Sequence, residues 1–235
     1  MNDMFRALQA EEAPAKKAKL REHQTTALDM IRQSFGKGLK RVVLQMPTGA
    51  GKTYTAAAMI EGALAKGRQV MFTVPRISLV DQAVREFELQ GIRHIGVIQA
   101  DHPRRDDDAP VQVASVDTLA RRGLPVKPGM AIIDECHLRS VAVERMVEQW
   151  PDMPMVGLSA TPWAKGMGLL WQDLQIPVTM AELVERGYLS QSRVYAPYVP
   201  DMSGVKTTAG DYNDGETADA MCDGKLVASV IETWL

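Results

Sequence analysis

The chain has 235 residues, 46% of them hydrophobic and 24% charged, with a net charge of −2. This globular balance provides enough apolar material for a sizeable core and argues against wholesale disorder. A charge so near zero excludes a polybasic, histone-like protein, so any nucleic-acid contact must come from a local patch. No apolar run approaches the ~20 residues of a membrane helix, and residues 1–20 lack the apolar stretch of a secretory signal. The two cysteines, Cys136 and Cys222, cannot build a disulfide framework. These features predict a soluble, cytoplasmic protein without a membrane partner.

Taken in chain order, AEEAPAKKAK reads as a solvated tail. Leu20, Ala27, Leu28, Ile31 and Phe35 recur at helical spacing, and Gly36 ends that helix. RVVLQM (41–46) is a short β-branched run, followed by a helical stretch over 53–67. QVMFTV (69–74) predicts a second strand, and Leu79, Ala83, Val84 and Phe87 mark the next helix. HIGVIQ (94–99), VQVAS (111–115), AIID (131–134) and MVGLS (155–159) are further apolar runs, with helical stretches near 116–122 and 140–149. Strands alternating with helices predict an α/β fold, a mostly parallel, doubly wound sheet. Ligands of such sheets bind beyond the carboxyl ends of the strands. Residues 201–235 carry seven acids against two bases and four glycines, and read as an extended segment followed by one helix.

Two groups of residues at strand ends carry chemistry. After RVVLQM comes Pro47-Thr48-Gly49-Ala50-Gly51-Lys52-Thr53, then a helix. Glycines let successive backbone amides converge on phosphate oxygens, and the helix N-terminus adds partial positive charge. Lys52 is placed to reach β- and γ-phosphates and Thr53 to ligate Mg²⁺. Met46 stands where the usual pattern has another glycine, outside the tight part of the loop. AIID runs into Asp134-Glu135-Cys136-His137. Asp134 can hold Mg²⁺ beside the phosphate loop, and Glu135 can orient or deprotonate a water. In isolation two such acids are a solvated turn; with the loop on another strand of one sheet they form a site. Cys136 is expected to pack under the turn, and His137 to bond a neighbouring loop.

With these motifs placed, the chain resembles the DEAD/DEAH-box helicases of superfamily 2, in the branch grouped with repair and restriction-type helicases. The resemblance covers roughly residues 20–200. LREHQ (20–24) resembles the adenine-reading segment, MPTGAGKT (46–53) the phosphate loop and DECH (134–137) the Mg²⁺ and water motif. VPRISLVDQ (74–82) and VASVDTLARR (113–122) resemble nucleic-acid-contact motifs, and LSATP (158–162) the motif coupling hydrolysis to strand movement. The resemblance implies a RecA-like P-loop NTPase domain that hydrolyses Mg-ATP and moves on, or separates, nucleic-acid strands, DNA preferred over RNA. It implies adenine reading by Gln24 and a nucleotide cradle of Thr48, Gly49, Ala50, Gly51, Lys52 and Thr53. Lys52, Asp134 and Glu135 would be catalytic, and His137, Ser159 and Thr161 would carry the coupling. Pro75, Arg76, Ser78, Gln82, Ser115 and Thr118 are candidate strand contacts. For the hydroxyls helix capping is the competing reading, since Ser78 and Ser115 sit at N-cap positions.

The family joins two RecA-like domains, and only the first is recognisable here. The expected division is a tail over 1–19, the ATP-binding domain over 20–190, and a linker with the start of a second domain over 191–235. On this reading 183–197 is the exit from the first domain, 224–235 opens the second, and the second-domain arginine motif is missing. Two alternatives stay open: a nucleotide- and nucleic-acid-binding module without productive motor activity, and an unrelated P-loop kinase, which the LSATP and VPRISLVDQ segments disfavour.

Overall fold

The computed structural model describes residues 19–99, 102–125, 127–191, 202–208, 211–212 and 214–221. Residues 1–18 of the expected 1–19 tail, residues 192–197 of the expected 183–197 exit and the expected opening of the second domain over 224–235 lie outside these residues. The chain forms two compact units, Met1–Leu189 and Ser190–Leu235.

The first unit is a seven-stranded, all-parallel sheet in the order β3-β4-β2-β5-β6-β1-β7. Its strands are β1 Arg41–Gln45, β2 Val70–Val74, β3 Ile95–Val97, β4 Val111–Ser115, β5 Met130–Asp134, β6 Met155–Ser159 and β7 Asp173–Gln175. The helices are α1 Glu22–Gly36, α2 Lys52–Leu64, α3 Val80–Leu89, α4 Val116–Arg122, α5 Val141–Gln149, α6 Met167–Leu170 and α7 Met180–Glu185. The central strands read as unbroken apolar runs because both faces are covered. Val42, Leu44, Phe72, Ile132, Val156 and Leu158 face α1, α2 and α3, while Val43, Met71, Ala131, Ile133 and Met155 face α4, α5, Trp150 and Trp171. The period-two alternation of a strand thus divides one chain into two cores. Phe72 and Phe87 meet edge to face at 4.8 Å in the first.

Several local expectations change. HIGVIQ pairs over only three residues, Ile95–Val97. β7 is an addition: DLQ is too short and too polar to read as a strand, and distant side chains pin it beside β1. Ser34 Oγ donates to Asp173 Oδ2 at 2.5 Å, and Gln175 Nε2 donates to the same oxygen at 2.7 Å. Met46 ends the β1 run, fully buried, and its amide donates to the Ser159 carbonyl at 3.0 Å. The loop between β3 and β4 is tethered by the Arg104–Glu88 ion pair at 2.5 Å and by a hydrogen-bond contact between His102 Nε2 and Asp81 Oδ1 at 3.0 Å.

In the second unit β8 Thr207–Thr208 and β9 Asp211–Tyr212 pair antiparallel, followed by α8 Asp214–Met221. The Lys206 amide donates to Glu216 Oε2 at 2.7 Å.

Two outcomes follow from this packing. A Cβ on Gly157 of β6 would lie 2.6 Å from Cys136 Sγ and 2.7 Å from the Trp171 ring. Gly157→Ala should therefore lower stability by about 1–3 kcal/mol in denaturant unfolding. The Ser34 hydroxyl, then the Gln175 amide and the Leu174 N–H, hold the Asp173 carboxyl below its ordinary value. A depressed folded-state value stabilises above the unfolded value of about 3.9 and stops doing so as pH falls through the folded one. The stability gap between the native protein and Asp173→Asn should thus close as unfolding is measured progressively below about pH 4.

Candidate nucleotide site at the strand ends

Parallel register brings β1, β6 and β5 side by side, pairing Gln45 with Ser159 and Leu158 with Asp134. Whatever follows these three strands must converge. The phosphate loop follows β1, the acidic pair ends β5, and the LSATP segment ends β6.

The loop's shape has a local cause. Gly49 and Gly51 take φ of +82° and +87°, the left-handed region that suits glycine, and the Ala50 amide donates back to the Pro47 carbonyl at 3.1 Å. α1 then braces the loop from behind. His23 Nε2 lies 2.9 Å from the Ala50 carbonyl oxygen, so that nitrogen carries the hydrogen. Gln24 Nε2 donates to the carbonyls of Ala50 at 3.3 Å and Gly51 at 3.4 Å. A planar trans peptide points its N–H opposite to its C=O. Drawing these two carbonyls toward α1 therefore turns the Gly51 and Lys52 amides the other way, where the unpaired amides at the start of α2 already point. Gly51 also packs on Gln24 Nε2 so closely that a side chain there would collide with it.

Gln24 accepts from the Arg21 amide at 2.9 Å through Oε1. Both edges of its amide thus face protein groups. A cavity of about 250 Å³ opens beside it, lined by Lys19, Arg21, Gln24, Gly49, Gly51 and Tyr54.

On the acidic side, Lys52 Nζ lies 3.7 Å from Glu135 Oε1, and Glu135 Oε2 lies 3.4 Å from His137 Nδ1. His137 Nδ1 is 2.8 Å from Ser159 Oγ, which accepts the Thr161 amide at 3.0 Å. Lys52, Glu135, His137, Ser159 and Thr161 form one continuous chain of polar contacts from the phosphate loop to the LSATP segment. Glu135 sits at φ +48°, a strained conformation for a side-chain-bearing residue and one that recurs at functional sites. Burial, then the neighbouring Glu135 charge, pushes the Asp134 carboxyl above its ordinary value. A bound cation would relieve both effects. Thr53 and Asp134 are an oxygen-only donor pair that suits Mg²⁺, a hard ion that keeps waters and substrate phosphates as its other ligands. Among the described residues no group of three His, Cys, Asp or Glu side chains is placed to hold a metal alone. Cys136 is buried beneath the turn, its thiol pushed up to about 12 by burial and by Glu135 and Asp134.

The candidate strand contacts divide. Pro75 is half-buried, Arg76 and Ser78 are exposed just past β2, and Gln82 is exposed in the first turn of α3. Ser78 is not an N-cap: it lies inside a 3₁₀ turn, Ile77–Leu79, capped by Arg76. Ser115 does cap α4, accepting the Thr118 amide at 3.1 Å, and the two buried hydroxyls lie 2.9 Å apart. Both residues line a cleft of about 400 Å³ together with Ile77, Gln99, Asp117, Arg121 and Arg122. Sequence reasoning missed His23, Tyr54 and Arg21 as parts of the nucleotide site. The position of His23 beside Gln24 in LREHQ was the available signal.

Residues 17–164 match the family described as Type III restriction enzyme, res subunit. The chain is 28% identical over 196 residues to a 51.5 kDa protein of a Lactococcus phage, covering 79% of this chain and 38% of that protein. It is 25% identical to the Type I restriction enzyme EcoKI endonuclease subunit of Escherichia coli, covering 85% and 22%, and 26% identical to the putative ATP-dependent helicase IRC3 of Saccharomyces cerevisiae, covering 92% and 34%. It therefore spans between about a fifth and two fifths of these relatives. Among solved structures, the UvsW helicase of bacteriophage T4 superposes with a TM-score of 0.59 at 20% identity, over 75% of this chain and 68% of that one. The restriction-modification enzyme LlaGI, in complex with a DNA substrate mimic, gives 0.55 at 18% identity, over 73% and 21%. With the phosphate loop, acidic pair and LSATP segment converging on one RecA-like sheet, the chain belongs to the Type III restriction enzyme res-subunit family and is a helicase-type ATP-binding domain of superfamily 2.

Proposed function

We propose that this domain binds and hydrolyses Mg-ATP as the ATP-binding half of a DNA translocase or helicase. The polar chain from Lys52 through Glu135, His137 and Ser159 to Thr161 carries the reading, because it links a phosphate cradle to a second strand end. The outward-turned amides of the loop would bind phosphate oxygens, and Lys52 would exchange Glu135 for the β- and γ-phosphates. Thr53 and Asp134 would hold Mg²⁺, which shields phosphate charge when bound. Glu135, released from Lys52, would orient a water for in-line attack or take its proton. Its move away from His137 would alter the Ser159 and Thr161 bonds, giving hydrolysis a route to the strand site.

Arg76, exposed at the end of β2, with Arg121 and Arg122 in the neighbouring cleft, would contact backbone phosphate, which positions a strand without reading bases. DNA is the substrate proposed because solved neighbours include LlaGI with a DNA substrate mimic and a SWI2/SNF2 ATPase core with dsDNA. A second RecA-like domain in cis would complete the motor.

Lys52→Ala should weaken binding of a fluorescent ATP analogue by about ten- to a hundredfold, the value of a hydrogen bond to a charged group. Glu135→Gln should keep that affinity while lowering turnover by about 10²–10⁴. Unchanged nucleotide binding by Lys52→Ala would contradict the phosphate-cradle assignment. Arg76→Ala should weaken single-stranded DNA binding about equally across sequences and reduce the log–log salt slope by about 0.7. A changed sequence preference with intact affinity would contradict the placement of Arg76.

A further inference from the structure

The last residues of the first compact unit return to the nucleotide site. After α7 the chain turns at Gly187, φ +71°, and the amides of Tyr188 and Leu189 both donate to the Leu183 carbonyl, at 2.9 and 3.1 Å. Leu183 is fully buried, so this helix-closing turn is anchored in the core. From it two side chains reach the walls of the 250 Å³ cavity. The Arg21 guanidinium stacks 4.6 Å above the Tyr188 ring, and the His23 ring meets the same tyrosine edge-on at 5.5 Å. Leu189 covers Gly49, where a Cβ would lie 2.7 Å from its Cδ2. Arg186, at the end of α7, pairs with Glu22 Oε2 at 3.5 Å.

Each partner has a task in the site. Arg21 and Gly49 line the cavity, and His23 holds the Ala50 carbonyl that turns the Gly51 amide outward. Arg21 is otherwise a long exposed side chain, and ordering it during binding would cost rotamer entropy. A ring fixed beneath it supplies that order in advance.

We propose that Tyr188 and Leu189 are positioning residues of the nucleotide site: they brace Arg21, His23 and Gly49, so that nucleotide affinity and the order of the Gly187–Leu189 turn are linked. The proposal rests on the reading that nucleotide occupies this cavity. Linkage is reciprocal: a brace that raises nucleotide affinity is itself held more firmly when nucleotide is bound. Tyr188 is 39% exposed and lies outside the core, so its truncation can be tested in a folded protein.

The experiment uses the full 235-residue chain with Mg²⁺ and a fluorescent ATP analogue. Tyr188→Ala and Leu189→Ala should each weaken binding roughly two- to fivefold. Tyr188→Phe, which keeps the ring, should bind as the native protein does. Tyr188→Ala without nucleotide should unfold cooperatively with a stability loss no larger than the ~1 kcal/mol, about fivefold, of the ring contact itself, and amide exchange over 187–189 should slow in the native protein when the analogue is added. Native affinity in Tyr188→Ala, equal losses in the Ala and Phe variants, affinity lost only in step with apo stability, or exchange indifferent to nucleotide would each overturn the proposal. A native protein that binds no analogue would overturn the functional reading together with it.

Discussion

Everything at the nucleotide site depends on the parallel register that lays β6 between β1 and β5. Each strand alone ends in a polar turn of ordinary composition. Side by side and ending at one level, they bring Lys52 to Glu135 and His137 to Ser159. The register is held by burial on two faces: Leu44, Ile132 and Leu158 against the first helical layer, Val43 and Ile133 against the second. A slip of one residue would exchange the two faces of a strand and separate the site with them. Core packing and the geometry of the site are thus one constraint.

The phosphate loop shows how little of such a site belongs to its own motif. Glycines permit the turn, but which way the amides face is decided by α1, where His23 and Gln24 hold the Ala50 and Gly51 carbonyls. Gln24 also closes a bond to the Arg21 amide at the start of its own helix. One side chain therefore fixes a helix end and a loop conformation at once. Tyr188 and Leu189 bring the end of the first compact unit against Arg21, His23 and Gly49, beside the same few atoms.

Much of this was legible in the sequence because the signals are local. The apolar runs became β1, β2, β4, β5 and β6, since two-sided burial leaves an unbroken apolar string. GAGKT and DECH sit at the strand ends where an α/β sheet places its ligands. What escaped was long-range. β7 carries no apolar pattern and exists because Asp173 finds Ser34, a residue 139 positions away. Ser78 has the right type for a cap, yet the chain tightens into a 3₁₀ turn before α3 and leaves the hydroxyl exposed. Ser115 forms the cap that competed with strand contact, accepting the Thr118 amide, and the pair lines the cleft beside Arg121 and Arg122. Tyr188 falls in sequence within the 183–197 stretch read as an exit, and only the fold returns it to Arg21.

The central claim is that Lys52 and Glu135 are paired as a resting arrangement that nucleotide replaces. A crystal structure of the 235-residue chain with Mg²⁺ and a non-hydrolysable ATP analogue tests it directly. The account predicts the β- and γ-phosphates on the amides of residues 49–53, Mg²⁺ between Thr53 and Asp134, and Lys52 Nζ moved from Glu135 onto phosphate oxygen. A nucleotide bound elsewhere, or bound on the loop with the 3.7 Å Lys52–Glu135 pair intact, would contradict it.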